Sequence, residues 1–451
     1  MATALIILAA GKGTRMKSDL PKVLHPIGGA PMLGHAMRAG QALTPDQTVI
    51  VAGHGAEAVA AAARAHDANA QVVLQSEQLG TAHAVAQAAP ALAGHDGDAI
   101  VLYGDTPFIR PETLRRMLAA RQDHDLVVLG FDTADPGRYG RLVMEGERLE
   151  RIVEFKDATE AERAIGFCNS GVIAARTETL FELIAAVGND NAAGEYYLTD
   201  IVAIARARGL GATAVACEES ETLGVNSRAE LVQAEALFQD RMRAAMMEGG
   251  AILVAPETVH FAHDTQIAPD AQVEQNVVFA PGVTVGARAR IRAFSHLEGC
   301  EVAAGAVVGP YARLRPGTKL AEDARIGNFV EVKNAVVAAG AKVNHLSYIG
   351  DAELGAGSNV GAGTVTCNYD GVSKHRTRIG ARVFIGSDTM LVAPVTVGDD
   401  AMTASGSVIT ENVPQGALAL GRARQVNKPG LAVKLFEMLK LNKRKRDREA
   451  E

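Results

Sequence analysis

No run of eighteen or more apolar residues occurs in the chain, so the sequence offers no membrane-spanning helix. Cysteine is scarce as well. Cys168, Cys217, Cys300 and Cys367 stand far apart with no paired spacing. That spacing argues against a zinc site and a disulfide framework, and for reduced thiols in the cytoplasm. An excess of positive charge is also missing: 45 Lys and Arg against 52 Asp and Glu leave a net charge of −7. Such a balance argues against a nucleic-acid-binding surface. The one basic cluster, in the tail "NKRKRDREAE", reads as a solvated helix end. The opening "MATALIILAAGKG" has no basic leader, and its apolar run is short and stops at glycine. It is expected to be a first strand and not a signal peptide.

What is present is a chain of 451 residues, 48% hydrophobic, with room for two or three domains. Up to about residue 226, short β-branched runs ("TALIIL", "TVIVAG", "AQVVLQ", "DAIVLYGD", "LVVLGFD") alternate with alanine-rich helical stretches such as "AEAVAAAARAH". That alternation predicts βαβ units, a mainly parallel Rossmann-like sheet and ligands at the carboxyl ends of its strands. Residues 227–250 read as one helix between domains. Ser227 and Glu230 are placed for a capping box, and the glycines at 249–250 form the stop. Beyond it the period becomes six. Apolar residues, nearly all aliphatic, recur at Ile267, Val273, Phe279, Val285 and Ile291, then from Val302 to Val332, then from Ile379 to Val397. Glycine often follows directly. A fixed six-residue repeat predicts a parallel β-solenoid with the aliphatic side chain inward and glycine turning the corners. The expected domains are 1–226, the helix 227–250, the solenoid 251–422 and a helical tail 423–451.

Repeats of the form [LIV]-G-x4 resemble the left-handed parallel β-helix of acyltransferases. The opening "LAAGKGTRMKSDLPKVL" resembles the GxGTR…PK signature of sugar-nucleotide pyrophosphorylases. The two in this order resemble one bifunctional family over almost the whole chain: N-acetylglucosamine-1-phosphate uridyltransferase joined to glucosamine-1-phosphate N-acetyltransferase. The resemblance implies two reactions. Acetyl-CoA acetylates glucosamine-1-phosphate, and UTP then converts N-acetylglucosamine-1-phosphate to UDP-N-acetylglucosamine with release of pyrophosphate. The product feeds peptidoglycan and lipopolysaccharide precursors. It also implies Mg²⁺, a homotrimer with sites between subunits, small-molecule partners only, and neither nucleic acid nor membrane as partner.

The chemistry of the first site can be read from the residues themselves. Gly11 and Gly13 free backbone N–H groups to close around phosphates, although the loop is neither a dinucleotide fingerprint nor a Walker A loop. Attack on an α-phosphorus builds negative charge, which Arg15 and Lys22 are placed to meet. Asp105 follows a predicted strand in "AIVLYGDTP", a position suited to a Mg²⁺ ligand. The resemblance adds Asn226 of "LGVNSR" as the second metal ligand. It sets Leu8, Ala9, Tyr103 and Gly104 against the nucleotide, and Gln75, Gly80 and Thr81 against the uracil. Gly140, Glu154 and Asn169 fall around the sugar, with "GEYYLTD" (194–200) lining the acetamido pocket.

At the second site, acyl transfer needs a base and oxyanion donors. His345 in "KVNHLSYIGD" is the candidate base, and Glu331 the candidate to orient its imidazole. Arg315 and Lys333, on adjacent coils, suit the sugar phosphate. The resemblance adds Tyr348 and Asn359 for the sugar. For acetyl-CoA it adds Ala362, Asn368, Tyr369, Ser387, Ser405 and Arg422, with Ser387 as an oxyanion donor and Ser405 standing where alanine is expected. The segment "GAGTVTCNYDGVSKHRTRIG" interrupts the repeat and is expected as a binding loop. Two competing readings are a single-activity pyrophosphorylase with a solenoid used only for assembly or regulation, and a non-catalytic sugar-nucleotide scaffold. A metal-dependent solenoid would need several histidines on neighbouring coils, and only His345 is centrally placed.

Overall fold

The structure, a computed structural model, describes residues 2–449. Two compact units result: residues up to Ala245 with His260–Thr265, and Met246–Val259 with residues from Gln266 onward.

The first unit begins with β1 (Thr3–Ala9), buried along its whole length. A strand covered on both faces reads as an unbroken apolar run, which is why "TALIILA" does not alternate. A small hairpin of β2 (Pro26–Ile27) and β3 (Ala30–Pro31) leads into α1 (Met32–Gln41). Then follow β4 (Gln47–Ala52), α2 (Ala56–His66), β5 (Gln71–Leu74), α3 (Thr81–Ala86), β6 (Asp98–Tyr103) and α4 (Pro111–Ala120). Next come β7 (Leu126–Asp132), β8 (Arg141–Glu145), β9 (Arg148–Val153), α5 (Glu160–Arg163) and β10 (Phe167–Arg176). The unit closes with α6 (Thr177–Ile184), α7 (Asp200–Ala207), β11 (Ala212–Cys217) and α8 (Arg228–Glu248).

The sheet runs β11-β7-β10-β6-β1-β4-β5, with β8 and β9 branching from β10. β1 lies parallel to both β4 and β6, whereas β10 is antiparallel to β6 and β7. The predicted mainly parallel sheet is therefore present, with one reversed strand at its centre. Alternate residues of β1 feed two cores: Ala4, Ile6 and Leu8 enter one face, Leu5, Ile7 and Ala9 the other. Because β1 and β6 are neighbours in register, with Leu8 beside Tyr103, the loops after both strands emerge together.

α8 is built into this unit. Its Ala234 and Phe238 pack with Ile27, Met32, Phe108 and Val225. Gly28 has φ +53°, and a Cβ there would fall 2.2 Å from the Phe238 ring. The buried Gln239 amide donates to Phe261 O at 2.7 Å and accepts from Phe261 N at 2.8 Å, holding the 260–265 segment as a strand partner would.

The second unit is a left-handed parallel β-helix. Three parallel sheets of ten, eight and eight strands run along it. Over the early coils the register advances by 17 or 18 residues: Ile267 lies beside Val285, Val285 beside Val302, and Val302 beside Leu320. Three six-residue sides make one coil, so the sequence period is the side length. The inward ladder Val273, Ile291, Val308, Ile326 and Val343 is fully buried.

The corners turn on left-handed residues, many of them glycine as expected, such as Gly305, Gly309, Gly317, Gly340 and Gly363, and others Asp or Asn, such as Asp270, Asn276, Asp323, Asn334, Asp351 and Asp388. Asp and Asn tolerate that conformation best among residues with side chains. At Gly327 and Gly361, directly after an inward aliphatic, stacking makes a further demand: a Cβ on Gly327 would fall 1.9 Å from Asn344 O, and one on Gly361 2.5 Å from Ser387 N. The interruption of the coil is shorter than expected. Val365–Cys367 remains a strand paired with Met390–Val392, and the excursion, pinned by a Tyr369–Lys374 bridge, lies between it and Thr377–Ile379. α9 (Leu431–Glu449) ends the description, and Leu435, Phe436 and Leu439 on it are exposed. Among the described residues no helix is long and apolar enough to cross a membrane.

Candidate active sites

The loop after β1 and the loop after β6 enclose an open cleft of about 310 Å³. Leu8, Ala9, Gly11, Lys22, Gln75, Gly80, Thr81, Tyr103 and Asp105 line it. Lys22 forms an ion pair with Asp105 Oδ2 and places Nζ 3.1 Å from Asn226 Oδ1. Backbone contacts bring these three together across 204 residues. Val225 N donates to Asp105 O at 3.0 Å, and Gly104 N donates to Leu8 O at 2.9 Å. The start of α8 finishes the job. Ser227 Oγ accepts from Glu230 N at 3.3 Å, as half of the expected box. The Glu230 carboxylate accepts from Asn226 N at 2.6 Å instead of reaching back to Ser227, and so fixes the Asn226 backbone.

Gly13, left-handed at φ +59°, lets the loop lie on the Lys22 stem, for a Cβ there would meet Lys22 Cβ at 2.7 Å. Arg15 is exposed on the 3₁₀ turn Thr14–Met16 and does not line the cleft. The buried Gln75 amide donates to Gly80 O at 3.2 Å, and Thr81 Oγ1 accepts from Leu198 N at 2.9 Å. Gly80 has φ +121° and abuts Tyr196 of the "GEYYLTD" segment. A Cβ on Gly140 would lie 3.5 Å from Glu154 Oε1 and 3.6 Å from Asn169 Cβ, so these three meet at one point. Burial pushes the Glu154 carboxyl above its ordinary range, against a hydrogen bond from Thr199. Burial, with Asp105 and Glu154 nearby, likewise raises the Tyr103 phenol.

The coil carries its candidate groups on two neighbouring edges. Asn328 stands beside His345 in register, and the Asn328 Oδ1 accepts from His345 Nδ1 at 2.8 Å. His345 is solvent-exposed. An Nδ1–H bound to an amide oxygen leaves Nε2 as the free lone pair, the form a base requires. Glu331, expected to orient this imidazole, does not touch it here. Its carboxylate accepts from Arg315 Nη1 at 2.8 Å, because strand register places it next to the arginine coil. Higher on the same corner, the register Val360–Ile385–Thr403 carries Ala362, Ser387 and Ser405 in line, and Arg422 Nη1 donates to Ser405 O at 2.8 Å. Asn359 faces outward between Lys342 and Phe384.

At the opposite edge of the sheet, Lys333 follows Glu331 and Val332 and is aligned with Gly350. The Lys374 amine beside it depresses the Lys333 ammonium, with Arg315 adding to the effect and Asp351 opposing it. Tyr348 lies over Gly350, where a Cβ would meet its hydroxyl at 2.4 Å and the Asn368 amide at 2.8 Å. Asn368 also donates to Asp351 Oδ2. Tyr369 is 59% exposed at the start of the excursion, which His375 and Asp370 close through a 2.6 Å contact.

Sequence reading missed Gln78, whose amide donates to Ala10 O at 2.7 Å in the cleft, and Asn328 and Lys374. Gln78 lies between the expected uracil residues Gln75 and Gly80, and Lys374 in the interrupting segment, so position alone marked them. Nothing local marked Asn328 as the partner of His345.

A phosphate-sized cleft with paired cationic and carboxylate groups, on a sheet joined to a hexapeptide coil, defines a nucleotidyltransferase fused to an acyltransferase. Two family descriptions match the chain: a MobA-like NTP transferase domain over residues 5–171, and the bacterial transferase hexapeptide (six repeats) over 376–411. A protein of Ruegeria pomeroyi named "Bifunctional protein GlmU" is 70% identical over 449 residues, covering 100% of both chains. Those of Cereibacter sphaeroides and Jannaschia sp., of the same name, are 68% and 63% identical, covering 98% and 96% of those proteins and 99% and 97% of this chain. The chain belongs to the GlmU family of bifunctional proteins.

Proposed function

We propose that the two sites divide the family's two reactions, with uridylyl transfer in residues 1–226 and acetyl transfer in residues 251–422. The protein is a bifunctional enzyme of UDP-N-acetylglucosamine synthesis. The observation that carries the assignment is the convergence of Lys22, Asp105 and Asn226 beneath a glycine-rich loop in a chain whose second unit presents a free imidazole nitrogen.

In acetyl transfer, the amine of glucosamine-1-phosphate attacks the thioester carbonyl of acetyl-CoA. His345 Nε2 takes the proton from nitrogen, the C–S bond breaks, and the imidazolium returns the proton to the leaving thiolate. Asn328 holds the productive tautomer. Ser387 sits on the same corner as a donor to the oxyanion. Arg315, Lys333 and Lys374 neutralise the sugar phosphate, with Tyr348 and Asn359 on the sugar. Ala362, Asn368, Tyr369, Ser405 and Arg422 hold the acyl donor.

In uridylyl transfer, a phosphate oxygen of N-acetylglucosamine-1-phosphate attacks the α-phosphorus of UTP and pyrophosphate leaves. Gly11 and Gly13 cradle phosphates and Lys22 meets the developing charge, with Arg15, outside the cleft here, as the cation that would reach it only by movement of the Thr14–Met16 turn. Gln75, Gly80 and Thr81 bind uracil. Gly140, Glu154 and Asn169 hold the sugar. One carboxylate and one amide oxygen aimed at a single cation fit Mg²⁺, which keeps few protein ligands. When bound at Asp105 and Asn226, Mg²⁺ would supply charge neutralisation at the phosphates.

A homotrimer is supported by the exposed, stacked rings of Phe294, Tyr311 and Phe329, 4.9 and 5.3 Å apart along one corner. A cytoplasmic location is supported by four unpaired cysteines. One incubation with glucosamine-1-phosphate, acetyl-CoA, UTP and Mg²⁺ tests the whole assignment. Coenzyme A thiol and pyrophosphate should both accumulate in the wild type, His345→Ala should remove the first, and Asp105→Asn the second when N-acetylglucosamine-1-phosphate is supplied. Absence of either product from the wild type would overturn the reading.

A further inference from the structure

We propose that Lys22 holds the cation position of the uridylyl site while the nucleotide is absent, and surrenders it to the divalent metal when the nucleotide binds. The inference rests on the reading of Asp105 and Asn226 as metal ligands. Lys22 Nζ contacts Asp105 Oδ2 and lies 3.1 Å from Asn226 Oδ1. The two ionic side chains are only 12% and 20% exposed, so the carboxylate has limited access to water and needs a counter-charge. The ammonium provides it. A magnesium ion would require the same two oxygens at roughly 2.0–2.1 Å. An ammonium and a dication cannot share that gap, both because the oxygens are already engaged and because the two cations repel.

The loop decides where the displaced amine can go. Gly13 packs on the Lys22 stem, and Gly11 approaches its Cε, with a Cβ there 4.0 Å away. The stem is held while the terminal bonds rotate, so the amine swings within the phosphate cradle. The metal and Lys22 thus exchange one oxygen pair for another: the metal takes Asp105 and Asn226, and Lys22 takes phosphate oxygens. Binding of bare metal is weak because it must expel the ammonium with no phosphate to receive it. Metal and nucleotide therefore promote each other's binding, as any such coupling must be reciprocal.

The test measures Mn²⁺ binding to the full chain without nucleotide, by the electron paramagnetic resonance signal of free Mn²⁺. Wild type, Lys22→Met, Lys22→Gln and Asp105→Asn are compared, each checked by circular dichroism. Both neutral Lys22 variants should bind Mn²⁺ about tenfold tighter than wild type, the factor expected from removing one charge-assisted hydrogen bond. Asp105→Asn should bind it more weakly than wild type. Unchanged or weaker binding in a folded neutral variant, with Asp105→Asn still weakened, overturns the exchange while leaving the metal assignment intact. Undiminished binding in Asp105→Asn overturns the metal assignment and the exchange with it. The two Lys22 substitutions differ in shape and polarity, so failure of one to fold leaves the other to decide.

Discussion

Substituting Gly327 by alanine tests how the coil positions its catalytic corner. The added Cβ would lie 1.9 Å from Asn344 O, 2.6 Å from its carbonyl carbon and 2.8 Å from its Cα. All three are backbone atoms, so no side chain can swing aside. An ordinary contact requires about 3.2 Å or more, so the coils must part locally by more than 1 Å. Adjacent coils are held by Gly309 N to Ile326 O at 2.8 Å, Arg325 N to Ala341 O at 2.9 Å and Leu346 N to Asn328 O at 3.1 Å. Stretching two such bonds beyond range costs about 1 kcal/mol each. Overpacking adds about 1–3 kcal/mol. The expected loss is therefore about 3–5 kcal/mol, a large share of a typical domain's stability.

Gly327 precedes Asn328, whose side chain holds His345, so the same displacement pulls the orienting amide off the imidazole. Acetyl transfer should fall by roughly tenfold or more, since the base is kept but loses the amide that orients it. Uridylyl transfer, assayed as pyrophosphate release from UTP and N-acetylglucosamine-1-phosphate, should persist. Calorimetry should show the loss in one unfolding transition. A variant that melts as the wild type does and acetylates within twofold of it would refute the claim that stacking, and not the turn, requires this glycine.

Asn328→Ala, which keeps His345 but frees Nδ1, should lower acetyl-transfer kcat roughly tenfold with little change in KM for either substrate, as steady-state kinetics will read. Gln239→Ala removes two buried hydrogen bonds to the Phe261 backbone, and should lower stability by about 1–3 kcal/mol in thermal melts. Burial pushes the His35 imidazole down to about 4, while its Nε2 holds Ile27 O at 2.8 Å. The unfolded chain, titrating near 6.5, then binds the extra proton first. Stability present above pH 6.5 should be lost as pH falls toward 4, by about 3 kcal/mol in all. Melting temperatures over that range should slope less in His35→Gln, and an equal slope would dismiss His35 as the cause.

Much of the architecture was readable in the chain because periodicity reports directly on burial. "TALIIL" is continuous because β1 is covered on both faces, and the six-residue spacing is one side of a coil whose inner edge is lined mostly by aliphatic side chains. Asp105 was legible from its place after a strand, and His345 from the segment around it. The role of glycine in the repeat was legible only in part: many corners do turn on left-handed glycines. The sequence shows that glycine follows the aliphatic residue, but not that the carbonyl of the next coil occupies the space where its Cβ would be. The reversed β10 likewise left no local trace, since its apolar residues suit either direction.

By itself, then, the sequence determined the two periods, the phosphate-binding loop and the residue types available for chemistry, because each depends on neighbours a few positions away. Tertiary structure alone decided which of those residues meet. Lys22 finds Asp105 and Asn226 through β1–β6 register and the start of α8, and His345 finds Asn328 in place of Glu331 because one coil advances 17 residues there. Such pairings are set by strand register and inter-coil distance, quantities that exist only once the backbone has closed on itself.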